Sequence, residues 1–200
     1  MCTRGWALGA QERGEEGIEQ LCQGLAMRGQ SVGQTHNRAM LAEVYGKAGQ
    51  PEEGRRVLEE GLTEGNNTRG RFFEAELYRL KGELTLKQPS VQRLGSRVSS
   101  PQSLAPSAQA EAEAEACFLK AFDIARRQQA KSLELRAVIS LFRLRQQRVT
   151  RHTSRTMDHA TCSALTEAHK MLSEIYGWFT EGFETTDLHE ANLLIGELTR

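Results

Sequence analysis

The sequence predicts an all-α fold, a right-handed α-solenoid of antiparallel helix pairs closed by a C-terminal capping helix. Three observations carry this. Apolar residues recur at helical spacing through most of the chain, and no segment sustains the period-two alternation of a strand. A pattern of apolar helix, short turn and acid-led second helix returns after 37 residues, as Gly17 against Gly54 and Gly24 against Gly61, which is a repeat signature of stacked helix pairs. Prolines are scarce: Pro89, Pro101 and Pro106 lie close together and the fourth, Pro51, stands where a helix should begin. The 200 residues then amount to about three and a half repeats plus the cap, read as one repeat domain over 1–200.

The first unit, GWALGAQERGEEGIEQLCQGL, has Trp6 and Leu8 on its first helix and a turn at Gly14. Ile18, Leu21 and Leu25 follow on the second helix, behind Glu15 and Glu16. The second unit, AMLAEVYGKAGQPEEGRRVLEEGL, places Met40, Leu41, Val44 and Tyr45 on one stripe, ends at Gly49 and restarts at Pro51. Proline in the first helical position with Glu52 and Glu53 behind it suits a helix N-terminus, where one N–H is unneeded and negative charge meets the dipole. Val57, Leu58 and Leu62 form the second stripe. The glycines at equivalent places let paired helices approach closely, each costing about 1 kcal/mol of helix propensity relative to alanine.

The third unit begins with FFEAELYRLKGELTL, carrying Phe73, Leu77, Leu80 and Leu84. Its partner, AEAEACFLKAFDIARRQQ, buries Ala114, Phe118, Ala121 and either Phe122 or Ala125. Between them, at about 88–109, a Ser/Pro-rich stretch is read as a flexible insertion, because its composition cannot bury enough apolar area to offset ordering. The fourth unit uses Leu133, Ala137, Val138, Leu141 and Phe142, then Leu165, Ala168, Leu172, Ile175, Tyr176 and Phe179, with a second polar insertion at about 146–163. The last helix carries Leu188, Ala191, Leu194, Ile195 and Leu198, and Asp187 with Glu190 reads as a capping box.

These pairs resemble tetratricopeptide repeats, with Gly17, Gly54, Gly24 and Gly61 where that family usually has alanine and with Ala114 and Ala121 kept. The strings GWALGAQERGEEGIEQ, LAEVYGKAGQPEEG, EAELYRLKGELTL, AEACFLKAFDIARRQQAKSLELRA and IYGWFTEGF are similar to the C-terminal repeat region of large bacterial proteins. Those proteins carry a predicted signalling ATPase module, often behind an adenylate/guanylate cyclase or transcriptional-activator domain. The resemblance implies a non-catalytic regulatory scaffold whose partner is another protein or a neighbouring domain. Met1 falls inside the first helix of a unit, so the chain is expected to derive from such a multidomain protein.

Composition narrows the function. The 26 basic and 26 acidic side chains cancel, so no global field draws the chain to nucleic acid or membrane. No apolar run reaches the ~20 residues of a membrane span, and the N-terminus lacks a signal peptide's apolar core, so a cytoplasmic protein is expected. Cys2, Cys22, Cys117 and Cys162 form no C-x-x-C pair, and Cys22 and Cys117 are expected as buried apolar residues. His152, His159, Cys162 and His169 lack zinc-site spacing and read as solvated. The nearest approach to a phosphate-binding loop, LAEVYGKA, lacks the first glycine and the hydroxyl. No general acid/base pair or nucleophile stands out. Neither a cofactor nor a catalytic residue is expected; a stand-alone enzyme is the alternative.

Candidate contact residues follow from a repeat scaffold's use of the first helix of each pair. They are Glu43, Lys47, Arg79, Glu83, Lys87 and Glu134. Two readings stand: a clamp on a partner by charge-assisted hydrogen bonds, or a solvated face with i, i+4 pairs such as Glu43–Lys47 and Glu83–Lys87. In the aromatic run 176–183, Trp178 is a candidate anchor, while Tyr176 and Phe179 fall on the core stripe. Finally, 126–155 holds nine Lys or Arg residues and one acid, Glu134. A nucleic-acid regulator would use this stretch, but no stacking aromatics accompany it. It is expected instead to offset the acidic flanks at 111–115 and 181–190.

Overall fold

The structure, a computed structural model, describes residues 4–7, 13–27, 34–65, 71–88, 106–152 and 159–197. These are helical, with short turns and no strand among the described residues. After a helical stretch at 4–7, the elements are α1 (Gly14–Met27), α2 (Gln34–Lys47), α3 (Pro51–Gly65), a 3-10 turn (Arg71–Phe73), α4 (Glu74–Lys87), α5 (Ala108–Arg127), α6 (Lys131–His152), α7 (His159–Tyr176) and α8 (Thr186–Glu197). The chain divides into two compact units. One comprises Met1–Phe73 with Leu80–Ala114, the other Glu74–Arg79 with Glu115–Arg200.

In the first unit α1 packs on α2 and α2 on α3. The 37-residue offset is physical: α1 starts at Gly14 and α3 at Pro51. Gly17, Leu21 and Gly24 are buried on the one, and Gly54, Leu58 and Gly61 on the other. Leu21, Met40, Leu41 and Val44 form the core, with Ile18, Leu25, Tyr45 and Val57 around it. Leu84 of α4 enters the space left by two glycines. A Cβ on Gly46 would lie 2.5 Å from Leu84 Cδ2, and one on Gly54 2.7 Å from Leu84 Cδ1. The Gly46-Lys47 string thus lies within helix α2 and takes up a leucine.

Among the described residues the second unit has the larger core. Leu135, Val138, Ile139 and Phe142 of α6 meet Leu165, Ala168, Leu172 and Ile175 of α7 and Leu188, Ala191 and Leu194 of α8. Ala75, Ile124 and Ala125 form a smaller cluster beside Tyr78 and Leu133. On α5, Ala114, Phe118, Ala121 and Ala125 are buried, and Phe122 is only partly so.

Two turns share one geometry. At the end of α2, Gly49 is left-handed (φ 75°) and Gln50 N–H donates to the Tyr45 carbonyl; at the end of α5, Gln129 is left-handed (φ 56°) and Ala130 N–H donates to the Ala125 carbonyl. Each is a Schellman closure, satisfying orphan carbonyls of the last turn, and each next helix begins two residues later, at Pro51 and Lys131.

Several expectations change. Helix α6 runs through His152 and α7 starts at His159, so of the insertion expected at 146–163 only 153–158 falls outside the described residues. Helix α5 already begins at Ala108, and 89–105 likewise falls outside them, as do Leu8, Cys2 and Leu198. His159, Cys162 and His169 sit on α7 rather than in a solvated loop. The His169 ring lies 6.3 Å from that of Phe142, with Nε2 3.2 Å from the Ile195 carbonyl oxygen. Cys117 is buried, but Cys22 is exposed, because the buried stripe of α1 runs through Gly17, Leu21 and Gly24 beside it. Asp187 and Glu190 form no capping box. Helix α8 starts one residue before Asp187, and both acids form ion pairs with arginines of α6, Asp187 with Arg136 at 2.6 Å and Glu190 with Arg143 at 2.6 Å.

Candidate functional site

The sequence-designated residues fall into separate places. In the first unit, Glu43 accepts from Lys47 Nζ at 2.7 Å and from Trp6 Nε1 at 2.9 Å, while Lys47 Nζ lies 5.7 Å over the Trp6 ring. Lys87 Nζ donates to the Gly46 carbonyl at 3.4 Å. Glu83 is half-buried on α4. The Glu43–Lys47 pair expected from i, i+4 spacing is present, and Trp6 closes it.

In the second unit, Arg79 is turned inward. Its Nε and Nη2 donate to both carboxylate oxygens of Glu76 at 2.8 and 2.7 Å, and Arg136 Nη1 reaches Glu76 Oε1 at 3.5 Å. Burial pushes the Glu76 carboxyl upward, but the Arg79 fork and the charge of Arg136 outweigh it and hold it below the usual carboxylate range. Burial lowers Arg136, and bonding to Asp187 and the charge of Glu76 more than reverse this. Arg79 is therefore a member of a largely buried ion network. The physical reason is the Glu76 carboxylate, buried with it and three residues away on the same helix, which no solvated face would contain.

A second network joins α5, α6 and α7. Arg145, 7% exposed, donates through Nε to Glu115 at 2.8 Å and through Nη1 to the Ala164 carbonyl at 2.7 Å and Glu167 at 3.1 Å. Arg148 also donates to Glu115. Burial raises the Glu115 carboxyl, but its bonds to Arg148 and Arg145 carry it below the usual range. The basic stretch thus offsets the acidic flanks within the unit. Arg136, Arg143, Arg145 and Arg148 each meet a carboxylate.

One concave feature of the second unit unites Glu134 and Trp178. A groove of about 400 Å³ opens where α5, the start of α6 and α7 meet, a volume in the range of ligand pockets. Phe122 and Arg126 come from α5, Lys131 and Glu134 from α6, and Glu167, Met171, Glu174 and Ile175 from α7, with Trp178 just beyond it. Helix α7 supplies its wall because 167, 171, 174/175 and 178 recur at helical spacing. Glu134 is 3% exposed and is neutralised by Lys131 Nζ at 2.7 Å, whose charge lies 5.9 Å over the Trp178 ring.

Trp178 itself is 60% exposed. The helix end turns it outward: Gly177 N–H donates to the Ser173 carbonyl and Trp178 N–H to that of Ile175. Tyr176 and Phe179 pack on the core beneath. The aromatic run is therefore divided between core and surface. Phe122, read from sequence only as a candidate for the buried face, and Arg126 and Met171 were not singled out as contact residues, because two are on the edge of core stripes and one is a single cation among many. Among the described residues no group of three His, Cys, Asp or Glu side chains could hold a metal ion, and no helix is long and apolar enough to cross a membrane.

No family model, curated protein or solved structure matches the chain.

Proposed function

We propose that this chain is a non-catalytic scaffold of tetratricopeptide-like helix pairs stacked as a right-handed solenoid. It binds a protein partner or a neighbouring domain of a larger signalling ATPase or nucleotide cyclase, of the bacterial type its strings resemble. The observation that carries the reading is the repeat itself: α1 and α3 start 37 residues apart and bury the same Gly-Leu-Gly positions. Repeats of this kind work by offering extended surface rather than a reactive centre. The buried Glu76 and Arg145 are occupied by Arg79 and Glu115, so they support structure. Engagement of four arginines of the 126–155 stretch by carboxylates weighs against a phosphate-binding stripe, which needs uncompensated charge.

Affinity capture with the tagged chain, followed by titration of each recovered protein against the purified chain, is expected to yield a saturable partner. Turnover of ATP or GTP by the purified chain, or recovery of nothing that binds saturably, would overturn the reading. The neighbouring-domain form predicts an in-frame phosphate-binding-loop segment in the DNA upstream of Met1; a promoter and ribosome site directly before Met1 counts against that form.

A further inference from the structure

The groove between α5, α6 and α7 differs from the first-helix face to which the sequence reading assigned the partner. Most of its lining comes from the second helices of two pairs, α5 and α7. Its exposed lining is mostly polar, and Phe122, Met171, Ile175 and Trp178 supply the apolar part. Its charges sort by whether the fold already uses them. Lys131 is held by Glu134 at 2.7 Å, and Glu167 accepts from Arg145 at 3.1 Å. Two remain for a ligand, on different walls. Arg126 of α5 has its guanidinium carbon 5.9 Å from the Phe122 ring centre, an arrangement that leaves N–H edges for a carboxylate. Glu174 of α7 has only Lys170 at 3.8 Å, beyond hydrogen-bond reach, and both side chains are mostly in solvent.

We infer that this groove docks a short protein segment bearing one apolar anchor, seated on Met171 and Trp178, between an acidic residue that meets Arg126 and a basic residue that meets Glu174. The inference rests on the scaffold reading and names its contact site. An exposed tryptophan beside a methionine is a typical anchor surface, since burying the ring contributes most of an interface's energy. Arg126 on α5 and the weakly paired Glu174 on α7, one charge of each sign on different helices, set the direction of the segment. A purely acidic or purely basic ligand would satisfy one wall and leave the other opposed.

The test uses the full chain and defined twelve-residue peptides with a central leucine. One set carries glutamate on one side and lysine on the other, in both orders. Control sets carry two glutamates, two lysines or neither charge. Trp6→Phe leaves Trp178 as the reporter ring. The mixed-charge peptides should bind in one order and shift Trp178 emission, with Trp178→Ala tested by calorimetry lowering affinity about tenfold. Arg126→Glu combined with Glu174→Lys should prefer the opposite order. Arg126, Glu174 and Trp178 are exposed, and circular dichroism checks that the variants fold.

Peptide binding indifferent to charge order, or untouched by these variants, overturns the inference. So does a chain that dimerises by sedimentation and loses the dimer with Trp178→Ala, which would assign the groove to a second copy. If a captured partner binds wild type and the Trp178 and Arg126 variants equally, the groove assignment fails while the scaffold reading stands. If nothing binds the chain at all, both fail.

Discussion

Gly49 and Gln129 perform the same task with different chemistry. Both sit left-handed at a Schellman closure. For Gly49 nothing lies within 4 Å of a built Cβ, so a substitution there meets only backbone strain. Gly49→Ala should destabilise by about 1 kcal/mol. Gln129→Gly should stabilise by up to about 1 kcal/mol by relieving the same strain, less the small contribution of the exposed Nε2–Arg126 carbonyl bond. Urea midpoints read both, and opposite signs are the diagnostic result. Glu76 is the second informative residue. Burial raises its carboxyl, but Arg79 and Arg136 carry it below the usual value. Its stabilisation is therefore present above the unfolded value of about 4.3 and is lost as pH falls through the lower folded value. Glu76→Gln should cost about 3 kcal/mol at pH 7, since it removes the buried negative charge that Arg79 and Arg136 face. The cost should shrink in acid, as urea midpoints at pH 7 and 3 would show.

At the scale of elements, α2, α3 and α4 meet through one leucine and two glycines. Leu84→Ala removes a buried side chain and should cost about 3 kcal/mol. Gly54→Ala alone presses a methyl to 2.7 Å from Leu84 Cδ1 and 3.1 Å from the Ala42 carbonyl oxygen. In the Leu84→Ala background the first of these contacts is gone and the gain in helix propensity remains. The double-mutant cycle should show a favourable coupling of about 1 kcal/mol; strict additivity would mean that Leu84 does not occupy the glycine gap. The apolar stripes of α3, α6, α7 and α8 were legible because helical period selects the buried face, whereas α2 buries Thr35, Asn37, Ala39 and Ala42 besides its predicted stripe. Two features escaped. The C-terminal turns of α6 are helical where polar composition suggested a loop, and their long side chains find acids on α5, as Arg148 does with Glu115. Asp187, which reads locally as a cap, is drawn off by Arg136 from α6, 51 residues away.

Across the molecule, two of the described carboxylates held below the usual range, Glu76 and the partly buried Glu115, lie in the second unit. In the first unit Glu59 is lowered chiefly by its hydrogen bond to Lys81, but its side chain is half exposed and contributes little. Acid should therefore loosen the second unit first. Amide exchange at pH 7 and 3, corrected for intrinsic rates, should show a greater loss of protection in α6, α7 and α8 than in α2 and α3; equal losses would contradict this. The sequence by itself determined the helical class, the 37-residue repeat, the buried stripes and the compensation of the basic stretch by acidic flanks, because periodicity and charge balance are properties of the chain read in order. Only the tertiary structure decided which arginines are engaged, that Arg79 forks onto Glu76 and that Trp178 lines a groove with Arg126 and Glu174. Those outcomes depend on carboxylates and rings brought from distant helices, and no local spacing encodes which of several similar side chains will meet.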